Sequence, residues 1–180
     1  FVGVLGLRLA GSFETFELTV YDWYLRLRPD VPTAARIVLI TVTEHDMRQQ
    51  GTWPIPDATI ARALDLLAAS RPRAIGLDIY RDIPVPPGHD ALETVLRNHA
   101  NIVVLTQIGL SAETSVPPPA VLRDTEQVGF SDVVVDPGGT VRRGLLFLEQ
   151  EDSTFYSFAF RLALLYLQAE NIGPRPDATH

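Results

Sequence analysis

The sequence predicts an α/β protein: a mixed, mainly parallel central sheet flanked by helices, with an antiparallel hairpin near the C-terminal end and long N- and C-terminal helices. Three observations carry this. Apolar, β-branched runs at residues 37–43, 73–79 and 102–106 alternate with stretches of helical spacing. The connections between them are short, which favours right-handed β-α-β crossovers and parallel pairing. A glycine-rich turn, DPGGT at residues 136–140, then separates two further apolar runs, 128–135 and 141–148, as a hairpin would.

Taken in order, Ser12 is placed to cap the first helix, and Glu14 and Glu17 in its first turn suit the positive end of the helix dipole. Phe13, Phe16, Val20, Trp23, Tyr24 and Leu27 recur at helical spacing, and Pro29 stops the helix by biasing Arg28 away from the α region. Residues 29–36 read as a linker. The first strand, IVLITVT at 37–43, is followed by Glu44, His45 and Asp46. Asp57 is expected to cap a helix whose apolar stripe is Ile60, Leu64 and Leu67. The second strand is 73–79. A proline-rich loop, 83–88, leads to a helix over about residues 90–99 with the stripe Leu92, Val95 and Leu96, and 102–106 is the third strand. Residues 111–119 contain a triple proline, which excludes regular helix.

The last predicted element is a helix over 154–168. Phe155, Phe158, Leu162 and Leu165 fall on one side of it, Tyr156, Phe160, Leu164 and Leu167 on the other. A helix apolar nearly all round needs burial against the sheet and against a second surface, which the first helix or a second copy of the chain would supply.

Composition narrows the function. At 180 residues the chain is long enough for one domain with a sizeable core. Its net charge of -7 disfavours nucleic acid and anionic membrane surfaces, both of which need a basic face. The absence of cysteine excludes disulfides, zinc thiolate sites, iron–sulfur clusters and thiol nucleophiles. No run of roughly 20 apolar residues is present to span a bilayer. The opening FVGVLGL reads as the end of a longer apolar segment or as a frayed, partly buried end.

The acids after the strands are the pointers to a site. Glu44 and Asp46 follow the first predicted strand, Asp78 and Asp82 the second. If these strands are parallel neighbours, their carboxyl ends gather the acids around one crevice, as open α/β sheets do. Trp53 would wall that crevice, Arg81 would balance its charge, and Gln107 after the third strand would add a polar group. Glu44, Asp78 and Asp82 would be the oxygen ligands of Mg²⁺ or Ca²⁺, if a metal binds. In the plainer reading, Asp78 pairs with Arg81 or Arg73 and the other acids face water. No P-loop, dinucleotide fingerprint or nucleophile elbow is present, and the four histidines lack metal spacing, so no catalytic residue and no cofactor is assigned. Arg142 and Arg143 should point to opposite faces of their strand, one paired with Asp132 or Asp136 and the other exposed.

The stretches YDWYLRLRP (21–29), IVLITVTEHDM (37–47), GTWPIPD (51–57), RAIGLDIYRD (73–82), NIVVL (101–105) and GFSDVVVDPGGTVRRGLL (129–146), with the final aromatic helix, occur in an order and spacing that resemble the type-2 CHASE domain. This is an extracytoplasmic sensory module of bacterial membrane receptors. The family often has Asp after its first strand, where this chain has Glu44, His45 and Asp46.

The resemblance implies residues 1–11 as the end of an N-terminal membrane helix or a frayed segment, 12–170 as a sensor domain, and 171–180 as a tail toward further membrane segments. It implies an extracytoplasmic (periplasmic or extracellular) domain of a cell-membrane receptor, passing a ligand- or dimerisation-dependent signal to a cytoplasmic cyclase or kinase module. The expected partners are a small-molecule or ion ligand, a second copy in a homodimer, and the membrane through flanking helices, with no nucleic acid. The alternatives are a metal-dependent, hydrolase-like α/β enzyme using the Asp78 acids, and a passive dimerisation spacer.

Overall fold

The computed structural model describes residues 13–30, 36–109, 111, 113–136, 138–150 and 153–175. Ser12, residues 1–11, most of the expected linker and the last five residues lie outside them. The chain divides into two compact units, Phe1–Thr41 and Val42–His180.

In the first unit, helix α1 spans Glu14–Arg26, with Glu14 and Glu17 in its first turn and Arg26 in its last, as the helix dipole favours. Its C-terminal N–H groups at Leu27 and Arg28 close onto Trp23 and Leu25, and Pro29 follows. The expected first strand is not formed: residues 37–43 are irregular and pair with no strand among the described residues. β-Branched residues favour extended backbone, but a strand exists only once a neighbouring edge accepts its hydrogen bonds.

The second unit opens with α2, Glu44–Gln50. Thr43 and Asp46 form a capping box, with Thr43 N–H donating to Asp46 Oδ2 at 2.8 Å and Asp46 N–H to Thr43 Oγ1 at 3.3 Å. Gly51, at φ 70°, ends the helix in the left-handed conformation. Helix α3, Asp57–Ala69, starts without a side-chain cap. Its first free N–H groups, at Asp57 and Ala58, instead donate to the carbonyls of Val85 and Pro87 at 2.8 Å each. This corrects the expectation for Asp57: the backbone does the capping and the carboxylate is free for another partner.

Strand β1 (Ile75–Leu77), helix α4 (His89–Asn98), strand β2 (Ile102–Thr106), a 3₁₀ turn (Ala120–Leu122) and strand β3 (Val128–Phe130) follow. The central sheet is β1-β2-β3, parallel throughout, with Ile75 opposite Ile102 and Val104 opposite Val128. Ile60 and Leu64 of α3 and Leu92, Val95 and Leu96 of α4 pack on one face of it, against Ile75, Leu77, Ile102 and Val104. Each such fully buried side chain contributes about 1.5–3 kcal/mol. Gln127 ties this layer to β3, its Nε2 donating to the carbonyls of Leu96, His99 and Ile102 at 3.0–3.1 Å.

The antiparallel part differs in detail from the two long runs predicted. It is two separate hairpins, β4 (Val134–Asp136) with β5 (Thr140–Arg143), and β6 (Phe147–Gln150) with β7 (Ser153–Tyr156). The final helix α5 is therefore shorter than expected, Phe158–Gln168, because residues 153–156 are taken up by pairing with β6. Ser157 caps it through Phe160 N–H at 3.3 Å. At 13 and 11 residues, α1 and α5 are ordinary in length, not the long terminal helices predicted.

Helix α5 crosses the second face of the sheet and touches all three strands. Two glycines admit it. A Cβ on Gly129 would lie 2.5 Å from Phe158 Cα, and one on Gly76 would lie 2.6 Å from Phe158 Cζ. Val103 and Leu105 alternate with the residues facing α3 and α4, and are buried on the α5 side.

In the first hairpin both arginines converge on one acid, which corrects the expected split. Arg142 Nη1 lies 3.2 Å from the buried Asp136 carboxylate and Arg143 binds its other oxygen. The bonds from Arg143 and Arg142 hold the Asp136 carboxyl below its usual pKa. A group depressed on folding supports the native state above its unfolded pKa, about 3.9, and that support fades as pH falls toward the folded value. The native hairpin is therefore expected to lose hydrogen-exchange protection, as pH falls below about 4, more steeply in the unmodified chain than in Asp136→Asn. Equal slopes would refute this.

Candidate functional site

The carboxyl ends of the three parallel strands carry the polar groups an α/β crevice uses. Beyond β1 come Asp78 and Tyr80, beyond β2 Gln107, and beyond β3 Ser131 and Asp132. Tyr80 bridges all three exits: its hydroxyl is 2.5 Å from Ser131 Oγ and donates to Gln107 Oε1 at 3.5 Å. Asp132 closes the second and third exits together, accepting from Ile108 N–H at 2.8 Å and Gly109 N–H at 3.0 Å. Asp78, two residues before Tyr80 in the chain, is exposed and pairs with neither Arg81 nor Arg73. The rim thus offers a carboxylate, an amide and two hydroxyls, a set suited to hydrogen-bonding a polar ligand.

Arg81 does not face the rim. It turns inward, buried, with Nε 3.2 Å from Asp57 Oδ1 and its two terminal nitrogens donating to the carbonyls of Ile55 at 2.8 Å and Tyr80 at 3.0 Å. Burial pushes its guanidinium below the usual pKa, countered by the charges of Asp57 and Asp82. The other oxygen of Asp57, itself fully buried, accepts from Val85 N–H at 3.1 Å and faces His89 Nδ1 at 3.1 Å. His89 Nε2 in turn lies 3.5 Å from Glu93. One ion network therefore fastens GTWPIPD, the RD that follows β1, the proline loop and the start of α4. Sequence reasoning missed Asp57 and His89. The available signal was a lone Arg directly after an apolar strand, matched by an Asp locked between prolines and a helix.

The remaining predicted residues fall elsewhere. Without a first strand, Glu44 and Asp46 do not follow a strand's carboxyl end; they open α2. Asp46 is engaged in the capping box, and bonds from the Thr43 side chain and backbone lower its pKa. Glu44 pairs with Arg48 at 2.7 Å. Glu44 and Trp53 share a shallow, open depression with Met47, Arg48, Gly51 and Thr52, and Asp78, Asp82 and Gln107 do not line it. Asp82 is exposed. So the structure joins Gln107 with Tyr80 and Ser131, leaves Asp78 exposed after β1, puts Glu44 beside Trp53, and turns Arg81 into the interior. Among the described residues, no group of three or more His, Asp or Glu is placed to hold a metal ion. The Ser131 hydroxyl meets Tyr80 and the Thr106 carbonyl, neither of which is a general base at neutral pH.

The family profile of the CHASE2 domain matches residues 1–178. The chain belongs to the CHASE2 family. No curated protein and no solved structure matches it. CHASE2 domains are sensory, non-catalytic, extracellular modules of signalling receptors. Among the described residues of this CHASE2 chain, no helix is long and apolar enough to cross a membrane.

Proposed function

We propose that this CHASE2 domain is the extracytoplasmic sensing part of a bacterial transmembrane receptor. It reads a small polar molecule or ion at the rim formed by Asp78, Tyr80, Gln107 and Ser131, and passes the signal through α5 to a cytoplasmic cyclase or kinase module. One observation supports this most. β1, only three residues long, delivers Asp78 and Tyr80 to the rim and carries Gly76 directly under Phe158 of α5. A ligand that pulls on the end of β1 acts on a strand packed without clearance against the output helix. It shifts that helix only by as much as it prefers one arrangement over the other. A homodimer fits the same reading, since the large apolar side chains of α5 are only half-buried.

The test is thermal unfolding against Ca²⁺, Mg²⁺, amino acids and sugars, with chelator controls. A compound at about 100 times its Kd adds about 2.7 kcal/mol. That raises the midpoint by about 2–4 °C for each kcal/mol in a domain of this size. The shift is expected to disappear in Asp78→Ala. A shift that survives in Asp78→Ala, or no shift with any probe, would sink the rim as the input site. The second reading, a passive dimerisation spacer, would then stand, and the shallowness of the Glu44–Trp53 depression favours it.

A further inference from the structure

The first turn of α5 is seated by steric fit on Gly76 and Gly129, and its last turn is engaged by the side chain of Arg73. Arg73, two residues before β1, reaches across with Nη1 2.8 Å from Glu170 Oε1 and 3.3 Å from the carbonyl of Tyr166. Its guanidinium also lies 4.5 Å above the centre of the Tyr166 ring. The Tyr166 carbonyl is one of the four that a helix leaves unpaired in its last turn, so Arg73 supplies a bond the helix cannot make for itself. Just beyond, Ile172 N–H returns to Leu167 O at 3.2 Å and Asn171 N–H to Gln168 O at 3.0 Å, with Asn171 at φ 55°. That is a Schellman stop, and it sets the direction in which the chain leaves α5.

The two arginine ion pairs flanking β1 differ in kind. Arg81–Asp57, after the strand, has side chains only 6% and 1% exposed, whereas Arg73–Glu170, before it, has side chains 41% and 46% exposed. A buried pair cannot open without stranding a charge, while an exposed pair opens at little cost because water takes over both partners. β1 therefore has a permanent anchor at its rim end and a breakable one at its other end.

We propose that Arg73 is a releasable latch on the last turn of α5: closed, it docks that turn and the Schellman stop against the sheet; open, it frees them while the first turn stays seated. This rests on the reading of α5 as the output element. The latch converts a displacement of β1 into a change at the exit of the domain, because Arg73 and the rim belong to one short run of chain.

The test is amide hydrogen exchange on the unmodified chain, Arg73→Ala and Glu170→Gln. An exposed ion pair and a cation–π contact together hold such a turn only modestly. Arg73→Ala is therefore expected to speed exchange over residues 165–169 by about three- to thirtyfold, with β2 unchanged; Glu170→Gln, which keeps the ring contact, should give a smaller effect of the same pattern. In the unmodified chain, raising salt from about 0.1 M to about 1 M should act in the same direction, and Arg73→Ala should be insensitive to it. Unchanged exchange in the last turn would overturn the latch. So would equal loss of protection in β2, or failure of Arg73→Ala to fold, since either makes Arg73 a general structural residue. Exchange localised to the last turn beside a negative ligand screen would keep the latch and remove the sensing reading.

Discussion

Asp57→Ala is expected to destabilise the Val42–His180 unit by about 3–5 kcal/mol, the usual cost of removing one partner of a buried ion pair. The cause is not the lost attraction alone. Arg81 stays buried with its charge uncompensated, the Val85 N–H loses its acceptor, and His89 loses the carboxylate it faces. The thermal midpoint should fall by about 10 °C. The double substitution Asp57→Leu with Arg81→Met should recover much of that loss, because two apolar side chains of similar volume leave no orphaned charge. Denaturant unfolding of the unmodified chain, Asp57→Leu, Arg81→Met and the double variant measures the coupling. A single-variant loss below about 1 kcal/mol would mean that Arg81 escapes to solvent, and the network would not be the anchor described here.

Gly129→Ala is expected to be strongly destabilising, although it adds a single methyl group. The new Cβ would sit 2.5 Å from Phe158 Cα and 2.8 Å from Phe158 N, so the backbone at the start of α5 must move as a whole. Overpacking of this kind costs about 1–3 kcal/mol where side chains can yield, and more where they cannot. We expect about 3 kcal/mol or more here. Gly76→Ala is the internal control. Its Cβ would meet Phe158 Cζ at 2.6 Å and Leu162 Cδ1 at 2.9 Å, the ends of side chains that can rotate, so its cost should be about 1–2 kcal/mol. Phe158→Ala should relieve Gly76→Ala but not Gly129→Ala, because it removes the ring and leaves the backbone. Equal rescue of both would show that α5 is not seated on Gly129 by its main chain.

Elements with a strong local signature were legible in the sequence. α4 carries Leu92, Val95 and Leu96 on one stripe and was expected within a residue of where it lies. β2, buried at every position, read as the unbroken apolar run of a parallel interior strand. Family membership was legible because it rests on the order of many short stretches, each weak alone. The first strand was misread because β-branched composition at 37–43 is a local preference, whereas pairing is a property of two segments. The start of α5 was misread for the same reason in reverse. Residues 153–156 satisfy a helical apolar pattern, and only the presence of β6 makes them a strand.

The site divides along the same line. Gln107, which meets Tyr80, could be named from the sequence, because a polar residue directly after a strand is placed by local geometry alone. Tyr80 and Ser131, which join the rim, could not, since their bond spans 51 residues of chain. The fate of each charge was equally hidden. Asp57 looked like a cap, but the carbonyls of Val85 and Pro87 took that role and released its carboxylate to Arg81. Arg142 and Arg143 were expected on opposite sides, but both guanidiniums are long enough to bend onto Asp136 at the end of a short strand.

By itself, then, the sequence determined the α/β alternation, the charge and cysteine classes that exclude whole chemistries, the helices with one clear apolar stripe, and the family. These depend on neighbours within a few residues or on composition, which the order of residues states outright. The tertiary structure alone decided which edges pair, which acid meets which arginine, and that two glycines admit α5 onto the sheet. Each of those is a contact between distant segments, and its energy depends on distance and burial that no local pattern contains.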